Sequence, residues 1–292
     1  MTYDPNDIYI SPSSINDFDR CPQLYYYRNV YRNPKTKLKI EVAQPALSLG
    51  SAVHSTLNRF LYFFKPPRNK DNLFNAFKYF WKKYEGEKGG FYSSEEEESY
   101  KKRALKMLKR FWEHAPFKQM RTLKLPDFPK VVLDKNLILT GRIDWIQRES
   151  NSLHIIDFKT GQFEEREGSM QLPIYALLAS RLLGNMSVQT SYWYLDKDND
   201  IKDFKIDQID VIQNKVKEKA YIIKQARQTQ SFSCASGFHS CRYCKDYLTV
   251  ASGKAKLVSV DAVDWKKETY IIPLNYKNLP EKEVPPENTL PF

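Results

Sequence analysis

The residues of this chain most suited to chemistry are two aspartates and a lysine near its middle. Asp144 closes the tetrapeptide Gly-Arg-Ile-Asp, and Asp157 is followed two positions later by Lys159. The segments that carry them, residues 138–147 and 153–159, are rich in apolar and β-branched residues, a composition typical of β-strands. The pattern predicts two neighbouring strands that gather the three charged side chains.

The residues between these strands, 149–152, read Glu-Ser-Asn-Ser, which is turn chemistry and predicts a β-hairpin. With these four residues as the loop, Arg148 faces Leu153, and an antiparallel ladder sets Asp144 directly opposite Asp157. Cross-strand partners have Cβ atoms roughly 5 Å apart. Like charges in that relation destabilise a sheet, so a hairpin that served stability alone would not pair two aspartates.

A bound divalent cation would remove this repulsion. Mg²⁺ prefers oxygen ligands and needs only one or two protein carboxylates, because it keeps several of its waters. Lys159 shares a face of its strand with Asp157, since side chains two positions apart point to the same side. The lysine would orient or activate a metal-bound water, or stabilise charge on a phosphate. The alternative is a solvated hairpin face without a ligand.

The composition indicates a folded protein with a polyanionic partner. Of the 292 residues, 41% are hydrophobic and 14% aromatic, which is enough for a substantial core and excludes a disordered tail. Lys and Arg outnumber Asp and Glu by 46 to 35, and the net charge of +11 suits nucleic acid. No run of about 18 apolar residues occurs. Residues 1–7 are polar and acidic, so we expect a cytoplasmic protein without a membrane span.

The chain alternates between helical and strand-like patterns. Apolar spacing and boundary residues predict helices over 11–31, entered through Ser13 or Ser14; from Gly50 to Pro66-Pro67; and over 73–84, 95–114, 169–183 with Ser169 as N-cap, and 208–228. Strands are predicted from Val131, in the hairpin, over 188–195 and near Phe204. This order predicts an α/β fold whose mixed central sheet is flanked by helices, with an N-terminal helical insertion. The chain after Asp246 is ambiguous, and residues 285–292 are expected to form a mobile tail.

Three further residues are candidates for the site. Gln171 and Tyr175 lie four positions apart on a predicted helix and therefore share a face. They would hold the lysine, a water or a phosphate, or else form an ordinary amphipathic turn. His54 lies beside the apolar stripe of its helix, where a hydrogen-bonded core histidine is the alternative to a ligand.

Four motifs in this order resemble those of a known family. They are Gly50-Ser-Ala-Val-His54, Gly141-Arg-Ile-Asp144, Ile156-Asp-Phe-Lys-Thr-Gly161 and Gln171-Leu-Pro-Ile-Tyr175. Together they resemble the motifs of the PD-(D/E)XK nucleases of the RecB type, a group that includes the CRISPR-associated RecB-like exonucleases and the nuclease domains of AddA and AddB. The resemblance spans residues 11–247, and four motifs in order are far more specific than any single one.

The resemblance implies a restriction-endonuclease-like core and a role for each motif residue. The implied ligands of Mg²⁺ or Mn²⁺ are His54, Asp144, Asp157 and the backbone carbonyl of Phe158. Lys159 would be the catalytic lysine, and Gln171 with Tyr175 the accessory motif on the following helix.

We therefore expect a metal-dependent DNA nuclease, and more narrowly an exonuclease, acting in DNA repair, recombination, phage replication or CRISPR adaptation. Its substrate would be DNA that is single-stranded or has free ends, and its partners repair or replication proteins. The alternative is a catalytically silent nucleic-acid-binding or complex-forming module. Inactive relatives usually lose a metal carboxylate or the lysine, and all are present here, which favours activity.

The expected organisation is a single nuclease domain over residues 1–292. It would comprise a helical insertion at about 55–125, a core at about 126–230, a cysteine-bearing region at about 231–250 and a tail. Residues 287–292, an acidic residue before a terminal Pro-Phe, resemble the partner-binding tails of bacterial single-stranded DNA-binding proteins. An ordinary frayed terminus is the alternative.

The four cysteines fall into two groups, Cys21 alone and Cys234, Cys241 and Cys244 together. Structural disulfides are not expected in a reducing compartment, and the C-x2-C of the last two cysteines is a common metal-binding spacing. One distant cysteine with three near the C-terminus resembles the iron-sulfur nucleases of the same family, which implies a 4Fe-4S cluster. Those enzymes usually show C-x2-C-x5-C, and here Val250 stands at the third position, so Cys234 would replace it. Zinc, or four buried thiols without a metal, are the alternatives.

Overall fold

The structure is a computed structural model that describes residues 6–65, 68–114, 122–123, 125–166, 168–184, 186–234, 236–237 and 241–277. The chain divides into two compact units, each assembled from three stretches. The first unit comprises Met1–Ser13, Leu49–Lys82 and Glu98–Lys224, and the second Ser14–Ser48, Lys83–Glu97 and Gln225–Phe292. The single-domain organisation and its internal boundaries stay predictions. The expected helix end at Pro66-Pro67 and the expected tail, with its partner-binding alternative, lie outside the described residues.

The described chain contains both β-strands and α-helices. The strands are β1 (Ile8–Ile10), β2 (Lys39–Val42), β3 (Lys130–Asp134), β4 (Leu137–Thr140), β5 (Trp145–Glu149), β6 (Ser152–Lys159), β7 (Ser187–Tyr194), β8 (Ile201–Asp203), β9 (Lys256–Asp261) and β10 (Lys267–Ile271). The α-helices are α1 (Pro12–Arg20), α2 (Pro22–Tyr25), α3 (Pro45–Phe63), α4 (Lys70–Trp81), α5 (Ser94–Glu113), α6 (Gln171–Leu183), α7 (Ile209–Gln228), α8 (Lys245–Ala251) and α9 (Leu274–Lys277). A π-helix follows α2 over Tyr26–Val30, and short 3-10 turns cover Lys82–Tyr84 and Gly86–Gly89. The predicted α/β class with mixed sheets and flanking helices is confirmed.

Two sheets build the first unit. One has the order β5-β6-β7-β8, in which β6 pairs antiparallel with β5 and parallel with β7 over its whole length. The other has the order β1-β4-β3. The middle strand β6 is buried over most of its length, because it is covered on both faces, and its C-terminal end carries Asp157 and Lys159. Instead of one central sheet, the described residues form three sheets in all.

The predicted hairpin register is confirmed, because Arg148 pairs with Leu153. The predicted continuous strand over 138–147 is wrong, since β4 pairs in one sheet and β5 in the other. The chain must cross between the two sheets here, so Asp144 precedes the first paired residue of β5. The loop is also shorter than predicted, because Glu149 pairs with Ser152.

Several predicted helix boundaries are wrong for local reasons. The helix predicted over 11–31 breaks at Cys21, which is extended (φ −169°, ψ 116°), because a following proline disfavours helical geometry. The helix does not begin at Gly50 but at Pro45. A proline is tolerated there, because the N–H groups of the first turn have no partner within the helix. Ser169 is not the N-cap of α6; Met170 holds that position without a side-chain bond.

The second unit contains the sheet β2-β10-β9, in which β10 is parallel to β2 and antiparallel to β9. This sheet escapes the sequence patterns, because β2 is short and β9 and β10 follow the ambiguous region after Asp246. Asp17, buried in this unit, accepts a 2.6 Å hydrogen bond from Arg28 Nη1. None of the helices in the described ranges is long and apolar enough to cross a membrane.

Candidate active site

The first carboxylate of the site is held between a helix and a strand. His54 lies within α3, and its Nδ1 is 3.0 Å from Asp144 Oδ1. The other oxygen, Oδ2, accepts a 3.0 Å hydrogen bond from the backbone N–H of Phe158 in β6. Because Asp144 lies just outside the paired part of β5, its carboxylate is free to reach the neighbouring backbone. Both oxygens are thereby fixed beside β6.

The second carboxylate and the lysine lie on the end of β6 and meet α6. Asp157 Oδ1 accepts a 2.8 Å hydrogen bond from Gln171 Nε2, and Asp157 Oδ2 lies 3.1 Å from Lys159 Nζ. The lysine also donates a 2.5 Å hydrogen bond to Gln171 Oε1. The amide of Gln171 therefore bridges the carboxylate and the ammonium. Its Nε2 donates to Asp157, and its Oε1 accepts from Lys159.

The predicted accessory pair shares one face of α6. Gln171 Nε2 donates a 3.1 Å hydrogen bond to the hydroxyl of Tyr175, which is buried. Tyr175 in turn packs over Gly141, where a Cβ atom would lie 3.0 Å from its ring and 3.1 Å from Leu178. The glycine of the Gly-Arg-Ile-Asp motif thus leaves room for the tyrosine that positions Gln171.

This packing predicts a specific cost for the Gly141→Ala substitution. The added methyl group needs Tyr175 and Leu178 to give way, and overpacking of this kind typically costs about 1–3 kcal/mol. We expect a lower free energy of unfolding by roughly that amount in urea titration. Gly161→Ala is the matched control, because no atom lies within 4 Å of its added Cβ. Equal stability of the two variants would contradict the packing role of Gly141.

The electrostatics of the two carboxylates differ. Burial raises the pKa of Asp157 to about 6, and the adjacent charge of Asp144 adds to this, although Lys159 acts in the opposite direction. Burial also acts to raise the pKa of Asp144, but the charge and hydrogen bond of His54 outweigh it, so that pKa lies below its usual value. Asp144 therefore loses its proton more readily than an ordinary aspartate, and Asp157 keeps its proton to a higher pH.

The donors fit a hard divalent ion. Two carboxylates, one imidazole and the Phe158 carbonyl are oxygen and nitrogen ligands suited to Mg²⁺ or Mn²⁺. Asp157 Oδ2 is buried and forms a 3.1 Å ion pair with Lys159. The ligand atoms of His54, Asp144 and Asp157 are less tightly gathered than the cysteine sulfurs, which form the one compact ligand group among the described residues.

Two residues near the lysine have no counterpart in the sequence predictions. Glu165 Oε1 lies 2.9 Å from Lys159 Nζ. Arg103 in α5 donates to the backbone oxygen of Thr160 at 3.1 Å and to Asp196 Oδ2 at 2.7 Å, which fixes the chain directly after the lysine. Neither lies in one of the four motifs, so only the folded chain brings them to the site.

The structure brings all four cysteines together in the second unit. Their sulfur atoms lie within 4.8 Å of one another, and Cys244 Sγ is 3.8 Å from Cys234 Sγ. Cys21 is placed at the break between α1 and α2, and Cys241 and Cys244 immediately before α8. All four are free thiols. Cys234 thus lies beside the C-x2-C pair, whereas Val250 belongs to the surrounding apolar core.

The sulfurs lie in a mostly apolar environment. Cys21, Cys241 and Cys244 are buried, with aromatic and aliphatic side chains around them. Burial raises the pKa of Cys21 to about 11, as is usual for an apolar site. Burial acts the same way on Cys241, but backbone N–H groups of Cys244 and Tyr243 outweigh it and lower that pKa to about 7. Four convergent sulfurs in a closed apolar shell could hold a metal ion or a cluster.

Comparison with known proteins identifies the class. The family model of the PD-(D/E)XK nuclease superfamily matches residues 9–246, and the chain belongs to this superfamily. The predicted membership of the PD-(D/E)XK superfamily is thus confirmed, and the RecB-type group stays a prediction.

A solved structure agrees with this assignment at the level of the fold. A crystal structure from Eubacterium rectale, described as a candidate exonuclease, superposes with a TM-score of 0.51 and covers 84% of this chain and 93% of its own. The two chains are 13% identical, so the likeness concerns the fold alone. Comparison with curated proteins finds no match.

Proposed function

We propose that this chain is a metal-dependent DNA nuclease that hydrolyses phosphodiester bonds as an exonuclease. The observation that carries the proposal is the hydrogen-bonded network of Asp157, Lys159 and Gln171, buried beside Asp144 in a member of a nuclease superfamily. Burying two acids and a lysine carries a desolvation penalty that can exceed their mutual attraction, so stability alone does not explain this cluster. A metal ion and a phosphate together would balance these charges.

Each residue has a proposed role. His54, Asp144, Asp157 and the Phe158 carbonyl would hold Mg²⁺ or Mn²⁺. When bound, the ion would supply an activated water and neutralise charge on the phosphate. Lys159 would donate an N–H hydrogen bond to the attacking water or to a phosphate oxygen. Gln171 would hold the side chains of Asp157 and Lys159 in place through its hydrogen bonds to both. Tyr175 would position Gln171.

The substrate and setting are proposals of the same kind. The excess of 46 basic over 35 acidic residues supports a polyanionic substrate, and the fold is similar to that of a candidate exonuclease. We propose DNA that is single-stranded or has free ends, a cytoplasmic setting, and repair or replication proteins as partners.

An assay on end-labelled DNA tests this function. Single-stranded, blunt and tailed duplex substrates would be incubated under reducing conditions with Mg²⁺, Mn²⁺ or EDTA. We expect cleavage with either ion and none with EDTA, with mononucleotides or short products released from an end. Closed circular DNA should persist longer than linear DNA. Intact substrates in every metal-replete reaction would overturn the nuclease proposal and favour a silent nucleic-acid-binding module.

For the second unit we propose a 4Fe-4S cluster on Cys21, Cys234, Cys241 and Cys244. The gathering of four sulfurs within 4.8 Å and the family resemblance support it, and four thiolates are the number that such a cluster needs. The cluster would join the region around α1 and α2 to the segment before α8, so its role would be mainly structural. Elemental analysis of anaerobically purified protein distinguishes iron from zinc.

A further inference from the structure

The ammonium of Lys159 is surrounded by oxygens. Gln171 Oε1 lies at 2.5 Å, Glu165 Oε1 at 2.9 Å and Asp157 Oδ2 at 3.1 Å. An ammonium group carries three N–H donors. The ring of Tyr192 covers a further side, with its centroid 4.9 Å from Nζ. Only 15% of the lysine side chain is exposed, so a phosphate oxygen reaches Nζ only if one of the present partners leaves.

The three oxygens differ in how firmly they are held. Gln171 is fixed at its other end by Asp157 and Tyr175, and the Asp157 side chain is only 2% exposed. Glu165 is 33% exposed and belongs to the loop between β6 and α6. A partly solvated carboxylate loses little when it exchanges a partner for water. Glu165 is therefore the partner that can leave.

The backbone at Glu165 is held by a neighbouring strand. The N–H of Glu165 donates a 3.0 Å hydrogen bond to the hydroxyl of Tyr194. With this backbone contact kept, Glu165 can release the lysine by rotating its own side-chain torsions.

We infer that Glu165 occupies the phosphate-binding position on Lys159, and that a phosphate of the nucleic-acid substrate displaces it. The carboxylate and the phosphate are both anions that accept from an ammonium, so they compete for one N–H. By competing for Lys159, Glu165 would exclude weakly binding anions, so that only an anion that binds more tightly displaces it. This inference rests on the proposed function, because it takes its displacing ligand from it.

Equilibrium binding in EDTA tests the inference without cleavage. A fluorescein-labelled single-stranded oligonucleotide would be titrated with wild type, Glu165→Gln and Glu218→Gln. Glutamine keeps the size of the side chain but removes the charge that competes with phosphate. Glu218 lies exposed on α7, so its substitution removes the same charge elsewhere on the first unit. We expect Glu165→Gln to bind about fivefold more tightly and Glu218→Gln to match wild type within about twofold.

A double-mutant cycle shows whether the gain acts through the lysine. The Glu165→Gln gain should vanish in the Lys159→Ala background, because no ammonium remains to be released. Equal or weaker binding by Glu165→Gln, or a gain that persists without Lys159, would overturn the inference. A Mg²⁺ cleavage assay run in parallel separates the two claims. Cleavage by wild type without the binding gain refutes only the role of Glu165, whereas absence of both refutes the nuclease proposal as well.

Discussion

Asp157→Asn should lower the cleavage rate on the order of 10²- to 10³-fold, the scale set by loss of one preorganised electrostatic group. The asparagine keeps the shape and one oxygen, so the contact with Gln171 can persist. It removes the charge that a metal ion and Lys159 both require. Mg²⁺ affinity, followed by calorimetric titration, should fall together with the rate. The rate would be measured on the preferred linear DNA substrate at saturating Mg²⁺.

Asp203→Asn provides the control for this variant. Asp203 lies on β8 of the same sheet and accepts a 2.9 Å hydrogen bond from Ser191, but no motif residue contacts it among the described side chains. It should retain the wild-type rate within a few fold. Wild-type cleavage by a folded Asp157→Asn protein would show that the metal and the chemistry lie elsewhere.

Cys244→Ser should remove the metal and destabilise the second unit. Cys244 is fully buried, its neighbours are the other three thiols, and a structural metal contributes its binding free energy to folding. We expect metal content to fall from near one equivalent of cluster or ion to a small fraction. The thermal midpoint should drop by about 5 °C, the shift that roughly 3 kcal/mol produces in a protein of this size.

The control for Cys244→Ser is Ser252→Ala, at the end of α8 in the same unit. Its hydroxyl donates only to the backbone oxygen of Thr249, so the thermal midpoint should change little. A Cys244→Ser protein with unchanged metal content would contradict ligation by this cysteine. Wild-type protein that contains no metal when purified without oxygen, and that is nevertheless stable, would show that the thiols are simply packed together.

The sequence predicts this site better than it predicts the fold around it. The turn residues and the alternation of apolar and polar residues predict the register that pairs Arg148 with Leu153. This register brings Asp157 close to Asp144. Helical spacing puts Gln171 and Tyr175 on one face. These features are local, since each depends on a few residues and one period. Errors in the predicted boundaries of helices and strands therefore do not affect these local predictions.

What the sequence misses depends on distant parts of the chain. The split between β4 and β5 is set by pairing of β4 with β1, which lies more than a hundred residues earlier. The sheet β2-β10-β9 likewise joins the two ends of the chain. Glu165 and Arg103 meet the lysine region only through loop and helix placement. No periodic pattern records such contacts.

The cysteines illustrate an intermediate case. The C-x2-C spacing marks Cys241 and Cys244 directly, while Cys21 and Cys234 can be added only because the chain has no other cysteine. The structure places all four sulfurs together although the spacing departs from the usual pattern. The spacing of Cys234 in the sequence does not indicate that its sulfur lies beside the C-x2-C pair.

The catalytic role of Lys159 can be measured by comparing wild type, Lys159→Ala and Lys202→Ala on one end-labelled linear DNA in Mg²⁺. Lys202 is a half-exposed lysine that pairs with Glu164 and so controls for loss of a positive charge. We expect degradation by wild type and Lys202→Ala at similar rates, and a rate lower on the order of 10²-fold or more for Lys159→Ala. Equal rates for folded wild type and Lys159→Ala, or no degradation by any of the three, would contradict this role.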